Sequence, residues 1–520
     1  MNTPTTTGGG PLLVGIILAA LTEAIAGTAL SLGRSDIIGD IYATPDEFAW
    51  LDIGYTASKL IGFIVAPWLM SRMPPRQLLI TMIMSMAAAC GLAGITTQLE
   101  LLIVLRVVQG FAGGALLVVG QTALFISFAR VTQPLVQALF AMGAVVAPAT
   151  LAPALQGWLI DSQSWPWIFF CVIPLALAAS GSLMISSRPI PTEADHRPCD
   201  VIGFVLVSVA LFCLSYVLIQ GHRWDWLEEP HILWLTLIGA AALLALLGQQ
   251  VLRSKRGIID FTLFSSEDFS FAFIVSFVAG AALFGSAYLI PSFAVSVLAF
   301  TPTDAGLLLL PSGALFVGGL LLSAYLFQGR HIPPFATVPF GILLIMLAMW
   351  MLSGSTSESG AEDMMTAILL RGLGLGLLFL SITLIAFSKI DSRNLAGGIG
   401  LFNAGRQLGG LLGVAGLQTL IDHNLAGNLS VLGGHLTTGG QLVIERLTSS
   451  TAMLAMKGMD ALASSQAAAS LLGRSAAKQS TVIAFDTAFM AVTLLFAVAF
   501  PILIGIKIGF ARHGKSHAPA

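Results

Sequence analysis

The sequence predicts an all-α polytopic membrane protein, and three observations carry that expectation. About fourteen apolar stretches are each long enough to cross a bilayer, and nearly every charge lies between them. The 520 residues are 56% hydrophobic and 10% charged, with a mean hydropathy of +0.90. A helix crossing a hydrocarbon core of roughly 30 Å needs about 20 apolar residues, and so little polar surface cannot cover a soluble protein of this length.

Windows of about 19 residues place the spans near 11–33, 48–71, 78–97, 99–126, 134–160, 166–187, 200–220, 231–251, 269–293, 304–327, 333–352, 362–388, 396–421 and 481–510. Two starts carry capping chemistry. Thr44-Pro45-Asp46-Glu47 reads as an N-cap, a first-turn proline and a capping-box acid before span 2, and Thr301-Pro302-Thr303-Asp304 repeats it before span 10. Asp304, Glu362 and Asp363 therefore read as helix-start acids.

Lys and Arg set the orientation. With a cytoplasmic N-terminus the inner loops hold Arg72, Arg76, Arg130, Arg188, Arg197, Arg253, Lys255, Arg256, Arg330, Lys389 and Arg393, and the tail holds Lys507, Arg512 and Lys515. Those are fourteen of the 24 basic residues, whereas the short outer loops hold only Arg34 and Arg223 beside many acids. Both termini are expected on the cytoplasmic side. The first span lacks a basic n-region and a small-residue cleavage site, so it is expected to be retained. Cys90, Cys171, Cys199 and Cys213 match no metal or redox spacing.

Internal similarity suggests a two-fold plan. LRVVQGFAGG from Leu105 in span 4 resembles LRGLGLG from Leu370 in span 12, and LQGWLID ending at Asp161 resembles LQTLID ending at Asp422. An offset of eight spans follows if two six-helix halves flank an inserted pair. The expected division is a tail at 1–10, a six-helix bundle at 11–187, two inserted helices with their loops at 188–268, a second bundle at 269–510 and a tail at 511–520. Residues 423–480 form the one long hydrophilic excursion, read either as a short helical hairpin beyond the outer face or as a connector.

Charges inside the spans point to the working part, because an ionisable group near a span's centre costs about 2.5–3.5 kcal/mol on insertion scales. Glu23 lies about a dozen residues into span 1, roughly 18 Å along the helix and near the midplane. Asp52 and Lys59 share a face of span 2, and Arg106 lies in span 4 with Gln109 one turn on. Arg371 follows in span 12, and Asn403, Arg406 and Gln407 in span 13. Glu23 reads either as a proton carrier or as half of a permanent salt bridge with Lys59 or Arg106. Lys59 reads as a static partner of Asp52 or Glu23, or as a site for an anionic substrate. Asp486 near the start of span 14 is a further acid inside an apolar stretch. No phosphate-cradling GxxxxGK[ST] loop and no histidine ligand spacing is present, so a gradient is the expected energy source and neither enzyme chemistry nor a cofactor is expected.

Several blocks, in order, resemble one family. They are Glu23, Trp50 and Tyr55, LRVVQG with Arg106, APATLAPALQGWL at 147–159, WPWIFF at 165–170, DVIGF followed by GHRWDW, LIPSFAVSVLAFTPTDAGLLLLPSG at 289–313, and NLAGGIGLFNAGRQLGGLLGVAGLQTL at 394–420. The chain resembles the fourteen-span drug:proton antiporters of the major facilitator superfamily, the EmrB/QacA type, over nearly its whole length. Two motifs depart from that pattern. The loop after span 2 reads PWLMSRMPPR, with Pro67, Ser71 and Pro74 replacing Gly, an acid and Gly while Arg72 and Arg76 remain. In span 5, Ala152-Pro153 stands for Gly-Pro and Gln156-Gly157 for Gly-Gly.

The resemblance implies proton-coupled efflux of amphipathic compounds, cationic or weakly charged, across the bacterial cytoplasmic membrane, with deprotonated Glu23 accepting a cationic substrate. Glu23, Asp52 and Arg106 would couple to the proton. Glu23, Tyr55, Gln109, Asn403, Arg406 and Gln407 would line the substrate cavity together with Lys59, which departs from the small or polar residue that the family leads one to expect there, and Arg72, Arg76, Pro148, Pro153 and Gly157 would serve the conformational change. Expected partners are the lipid bilayer, the amphipathic substrate and protons, with a periplasmic adaptor protein and outer-membrane channel implied by some relatives, and no nucleic acid. The alternatives are proton-coupled export of a specific metabolite, peptide or siderophore, anionic if Lys59, Arg106 and Arg406 face it, and a membrane-embedded assembly or sensor component that transports nothing.

Overall fold

A computed structural model describes residues 9–31, 33–191, 200–253, 257–436 and 440–516. Arg197, Cys199, Lys255 and Arg256, and most of the expected N-terminal tail, lie outside the described residues. Among the described residues all regular structure is helical, as a bilayer demands of any chain whose backbone groups must be satisfied within the segment.

The spans in order are α1 Gly9–Thr28, α2 Pro45–Met70, α3 Pro75–Ala93 and α4 Leu99–Ser127. Next come α5, in three continuous pieces Gln133–Ala141, Met142–Leu151 and Ala152–Ser162, and α6, in two pieces Pro166–Phe170 and Val172–Ile185. Then follow α7 Val201–Gln220, α8 Pro230–Arg253, α9 Glu267–Ser296, and α10 as Pro302–Leu307 and Leu310–Gly329. The last four are α11 Val338–Leu352, α12 Ala361–Phe387, α13 Ser392–His435 and α14 Ala461–Ser516.

Thirteen helical runs among the described residues are long and apolar enough to cross a membrane. The expected span at 396–421 lies inside α13, which falls short of that apolarity because it carries Asn403, Arg406, Gln407 and a row of glycines. The Thr44 capping box is formed, with Thr44 N donating to Glu47 at 2.7 Å, and Asp304 N donates to Thr301 at 3.1 Å. Asp363 accepts from Gly360 N at 2.8 Å.

Small residues let the helices close together without a hydrophobic force between them. Gly110 and Gly114 of α4 lie against the backbone of Tyr55 and Lys59 in α2, and Gly372 and Gly376 of α12 meet Ser312 and Phe316 of α10 in the same way. Gly405, Gly409 and Gly413 of α13 form a row four residues apart that faces Phe273, Phe277 and Ala281 of α9.

The pair α7–α8 packs on itself and leans on the ends of α2 and α13 near the acidic loops. Trp50 stacks near Phe212 and Tyr216, Arg223 pairs with Asp46 at 2.8 Å, and Trp226 Nε1 donates to Thr419 at 3.0 Å.

Residues 423–480 are largely helical. α13 runs on to His435, a separate helix spans Gln441–Met456, and α14 begins at Ala461. Gly458, at φ +91°, makes the turn between the last two, a conformation that favours glycine.

Candidate substrate and proton site

The middle of the bundle gathers charges from four helices. Glu23 of α1 is 1% exposed, enclosed by Gly27 of its own helix, Tyr55 of α2, Gly113 of α4 and Met86 of α3. Its Oε1 accepts from the Tyr55 hydroxyl at 2.9 Å and pairs with Lys59 Nζ at 2.5 Å. The salt bridge left open between Lys59 and Arg106 is thus made by Lys59. The Lys59 ammonium also lies over the rings of Tyr55 and Phe63, at 5.8 and 5.9 Å.

Arg106 of α4, likewise 1% exposed, donates from Nη1 to Ala26 O at 2.7 Å and to Gln109 Oε1 at 3.1 Å. Its guanidinium sits 4.2 Å from the centre of the Tyr55 ring, close enough for a cation–π contact. Nε and Nη2 have no hydrogen-bond partner among the described residues, which is costly for a buried charged group. Asp52 makes no hydrogen bond or ion pair among the described residues, but its charge interacts with Arg106 and Arg34. The shared helix face that suggested an Asp52–Lys59 pair does not produce one, because Lys59 turns toward α1.

Across the bundle Arg406 of α13 donates to Asn403 Oδ1 at 2.6 Å, lies over the Phe379 ring at 5.7 Å, and is near enough to Glu23 for their charges to interact. Gln407 is half-buried beside it. Asn403 begins a chain of amides that the sequence reading missed. Its Nδ2 donates to Gln121 at 3.1 Å, Gln121 to Gln137 at 3.3 Å, Gln137 to Gln133 at 3.2 Å, and Gln133 to the carbonyls that end α4. All four of these residues are buried. Polar residues recurring within apolar spans were the available signal, but amides carry no charge to draw attention.

Arg371 of α12 parallels Arg106. It is 0% exposed and bonds Ser286 at 2.7 Å, Ser312 at 3.3 Å and the Leu283 carbonyl at 3.5 Å. No acid corresponding to Glu23 stands on α9 near it; Gly280 faces the Arg406 backbone there instead. Asp486 of α14 is half-buried, and its Oδ1 has no hydrogen-bond partner among the described residues.

The residues expected to serve the conformational change lie elsewhere. Arg76 donates to the Arg188 carbonyl at 2.5 Å, and Arg188 donates to the Ser127 carbonyl and stacks on Phe128, which ties the basic ends of α3, α4 and α6. Arg72 lies over Trp68 at 5.6 Å. Pro148 lies in the Met142–Leu151 piece of α5, a π-helix whose closing bond runs from Ala152 N to Ala147 O. Pro153 and Gly157 face Gly306 and Pro302 of α10, where a Cβ added at Gly157 would come 2.7 Å from Pro302 O.

A separate groove of about 330 Å³ opens on the side of the bundle, lined by Ser58, Met82, Ser85, Val107, Phe111 and Phe204 among others, and none of Glu23, Lys59 and Arg106 lines it.

Comparisons with known proteins bear on the family and the fold. The chain is 28% identical over 418 residues to the multidrug export protein EmrB of Haemophilus influenzae, covering 79% of this chain and 80% of that one. It is 26% identical over 503 residues to the colistin resistance protein EmrB of Acinetobacter baumannii, covering 94% of each. In fold it is similar to a bacterial homolog of the human lysosomal transporter Spinster, solved in an inward-facing, unoccupied conformation, with a TM-score of 0.60, 11% identity and 98% of both chains covered. Residues 12–414 match the Major Facilitator Superfamily, and the chain belongs to that family.

Proposed function

We propose that this protein is a proton-coupled exporter of amphipathic compounds in the bacterial cytoplasmic membrane, with both termini cytoplasmic and no enzymatic activity of its own. The observation that carries the reading is the enclosed Glu23 carboxylate, joined to Lys59 and Tyr55 and within electrostatic reach of Arg406 on the opposite side of the bundle. The name of the Haemophilus influenzae relative, a multidrug export protein, supports the direction of transport.

Lys59 and the proton compete for one carboxylate. With Glu23 ionised, Lys59 ties α2 to α1. With Glu23 protonated the ion pair is lost, the Tyr55 hydrogen bond alone still joins the carboxyl to α2, and the two helices shift more easily. A substrate that favours the ion-paired arrangement therefore expels the proton, and a proton taken up from outside favours the other. Helices α1–α6 and α9–α14 would be the two bodies that move, with α7–α8 an insert. The matching reach of Arg106 to α1 and Arg371 to α9 supports that division.

Proton release on ligand addition tests the reading, using purified protein in detergent and a panel of cationic, neutral and anionic amphiphiles. Release by wild type that is absent in Glu23→Gln is expected. Ligand binding without release would sink proton coupling through Glu23. Three cations within the bundle, the buried Arg106 and the half-buried Lys59 and Arg406, favour a second reading, export of a single anionic metabolite, which a response confined to one anion would support. The helical extension of α13 and α14 would be the part that meets a periplasmic adaptor protein and, through it, an outer-membrane channel. Export undiminished after deletion of Gln441–Met456 would overturn that role.

A further inference from the structure

We infer that Lys59 is a built-in occupant of the cation position beside Glu23, so that the site selects substrates without a fixed positive charge. The inference rests on the reading of this cluster as part of the substrate path. Lys59 Nζ lies 2.5 Å from Glu23 Oε1, with side chains 13% and 2% exposed, and faces two aromatic rings within 6 Å. A carboxylate beside aromatic faces is the combination with which proteins hold organic ammonium ions. Here the ammonium is supplied by the chain itself.

Because Lys59 is tethered, its competition with any free cation is intramolecular and is not weakened by dilution. A cationic ligand reaches the carboxylate only by displacing Lys59. The freed ammonium then remains among Arg406, whose charge interacts with Glu23, and Arg106, stacked on Tyr55. Leaving a buried charge without a partner is the most costly outcome available to such a cluster. A neutral or anionic ligand leaves the pair intact. When all are ionised, Lys59, Arg106 and Arg406 outnumber Glu23 and Asp52, which opposes a further cation. Lys59 thus acts as a specificity-determining residue.

Equilibrium binding of tetraphenylphosphonium and tetraphenylborate, ions of matched size and opposite charge, tests this on the purified full chain after subtraction of binding to empty micelles. Wild type is expected to bind the borate at least tenfold more tightly than the phosphonium. Lys59→Met should shift that ratio tenfold or more toward the phosphonium, Lys59→Arg should not, and adding Glu23→Gln to Lys59→Met should remove the gain. Wild type binding the phosphonium as tightly as the borate overturns the inference, and that arm stands even if Lys59→Met does not fold. A folded Lys59→Met without the gain overturns it as well, as does a gain that survives Glu23→Gln. None of these readings depends on proton movement, so failure of proton release would count against proton coupling and leave this inference standing.

Discussion

Tyr55 holds two charges at once, its hydroxyl donating to Glu23 and its ring lying under Arg106. The two contributions separate by substitution. Tyr55→Phe removes only the hydroxyl and is expected to cost about 1.5–3 kcal/mol, the range for a hydrogen bond to a charged group. Tyr55→Ala also removes the ring, adding the loss of the cation–π contact, about 2 kcal/mol when desolvated, and the cavity left behind. Thermal unfolding in detergent should rank wild type, Tyr55→Phe and Tyr55→Ala in descending stability; equal losses for the two variants would mean that the ring contributes nothing. The sequence marked Glu23 and Arg106 because a charge in an apolar stretch is conspicuous. It left Lys59 between two acids, since helical spacing fixes a face but not which neighbouring helix that face meets.

At the scale of elements, glycine rows decide which helices touch. A side chain at Gly110 would run into the backbone of Tyr55, a contact that no rotamer change relieves. Gly110→Val should therefore separate α2 from α4 and cost about 1–3 kcal/mol or prevent folding, read as a lower melting temperature and reduced yield of monodisperse protein. Gly416 of α13 offers the contrast, because nothing lies within 4 Å of the added carbon. There Gly416→Ala should stabilise by up to about 1 kcal/mol through helix propensity alone, and a destabilised Gly416→Ala would show that this part of α13 is in contact during the folding or transport cycle. The glycines were legible in the sequence as packing residues, but their partners were not. α5 adds a feature no residue pattern announced, the π-helix around Pro148, where a proline that cannot donate meets a widened turn.

For the whole molecule, two of the seams among the described residues join the helices before residue 187 to those after 269 by close fit and hydrogen bonds. One runs along α5 and α10, from Asp161 against Thr303 and Gly157 against Pro302 near the acidic loops to Thr150 against Gly313 deeper in. The other lies between α2 or α4 and α13, where Phe63 meets Gly400 and Gln121 meets Asn403. A rocking transporter must open one part of such seams while keeping the rest. The amide chain from Arg406 to the end of α4 crosses the second seam through a single bond, Asn403 to Gln121. Asn403→Leu should leave buried polar atoms unpaired and cost about 1–3 kcal/mol. Combined with Gln121→Leu the loss should be smaller than the sum, because the two substitutions share one interaction. Strict additivity in a double-mutant cycle on melting would remove the bond's energetic role.

Read from sequence alone, the chain is helical, crosses the membrane many times, and starts helices at Thr44 and Thr301 and with the acids Glu362 and Asp363. Those properties depend on apolar length and on residues three apart, and both are local. It also displayed the costly charges Glu23, Arg106, Arg371 and Arg406. Packing in three dimensions settles that Lys59 belongs to Glu23 rather than Asp52, that amides 282 residues apart at Gln121 and Asn403 share a bond, and that α13 runs on as helix to His435 beyond the span. Each of these depends on which helix faces which. In a bundle of similarly apolar helices that choice is set by the close fit of small residues and buried polar partners, not by the hydropathy of any one segment.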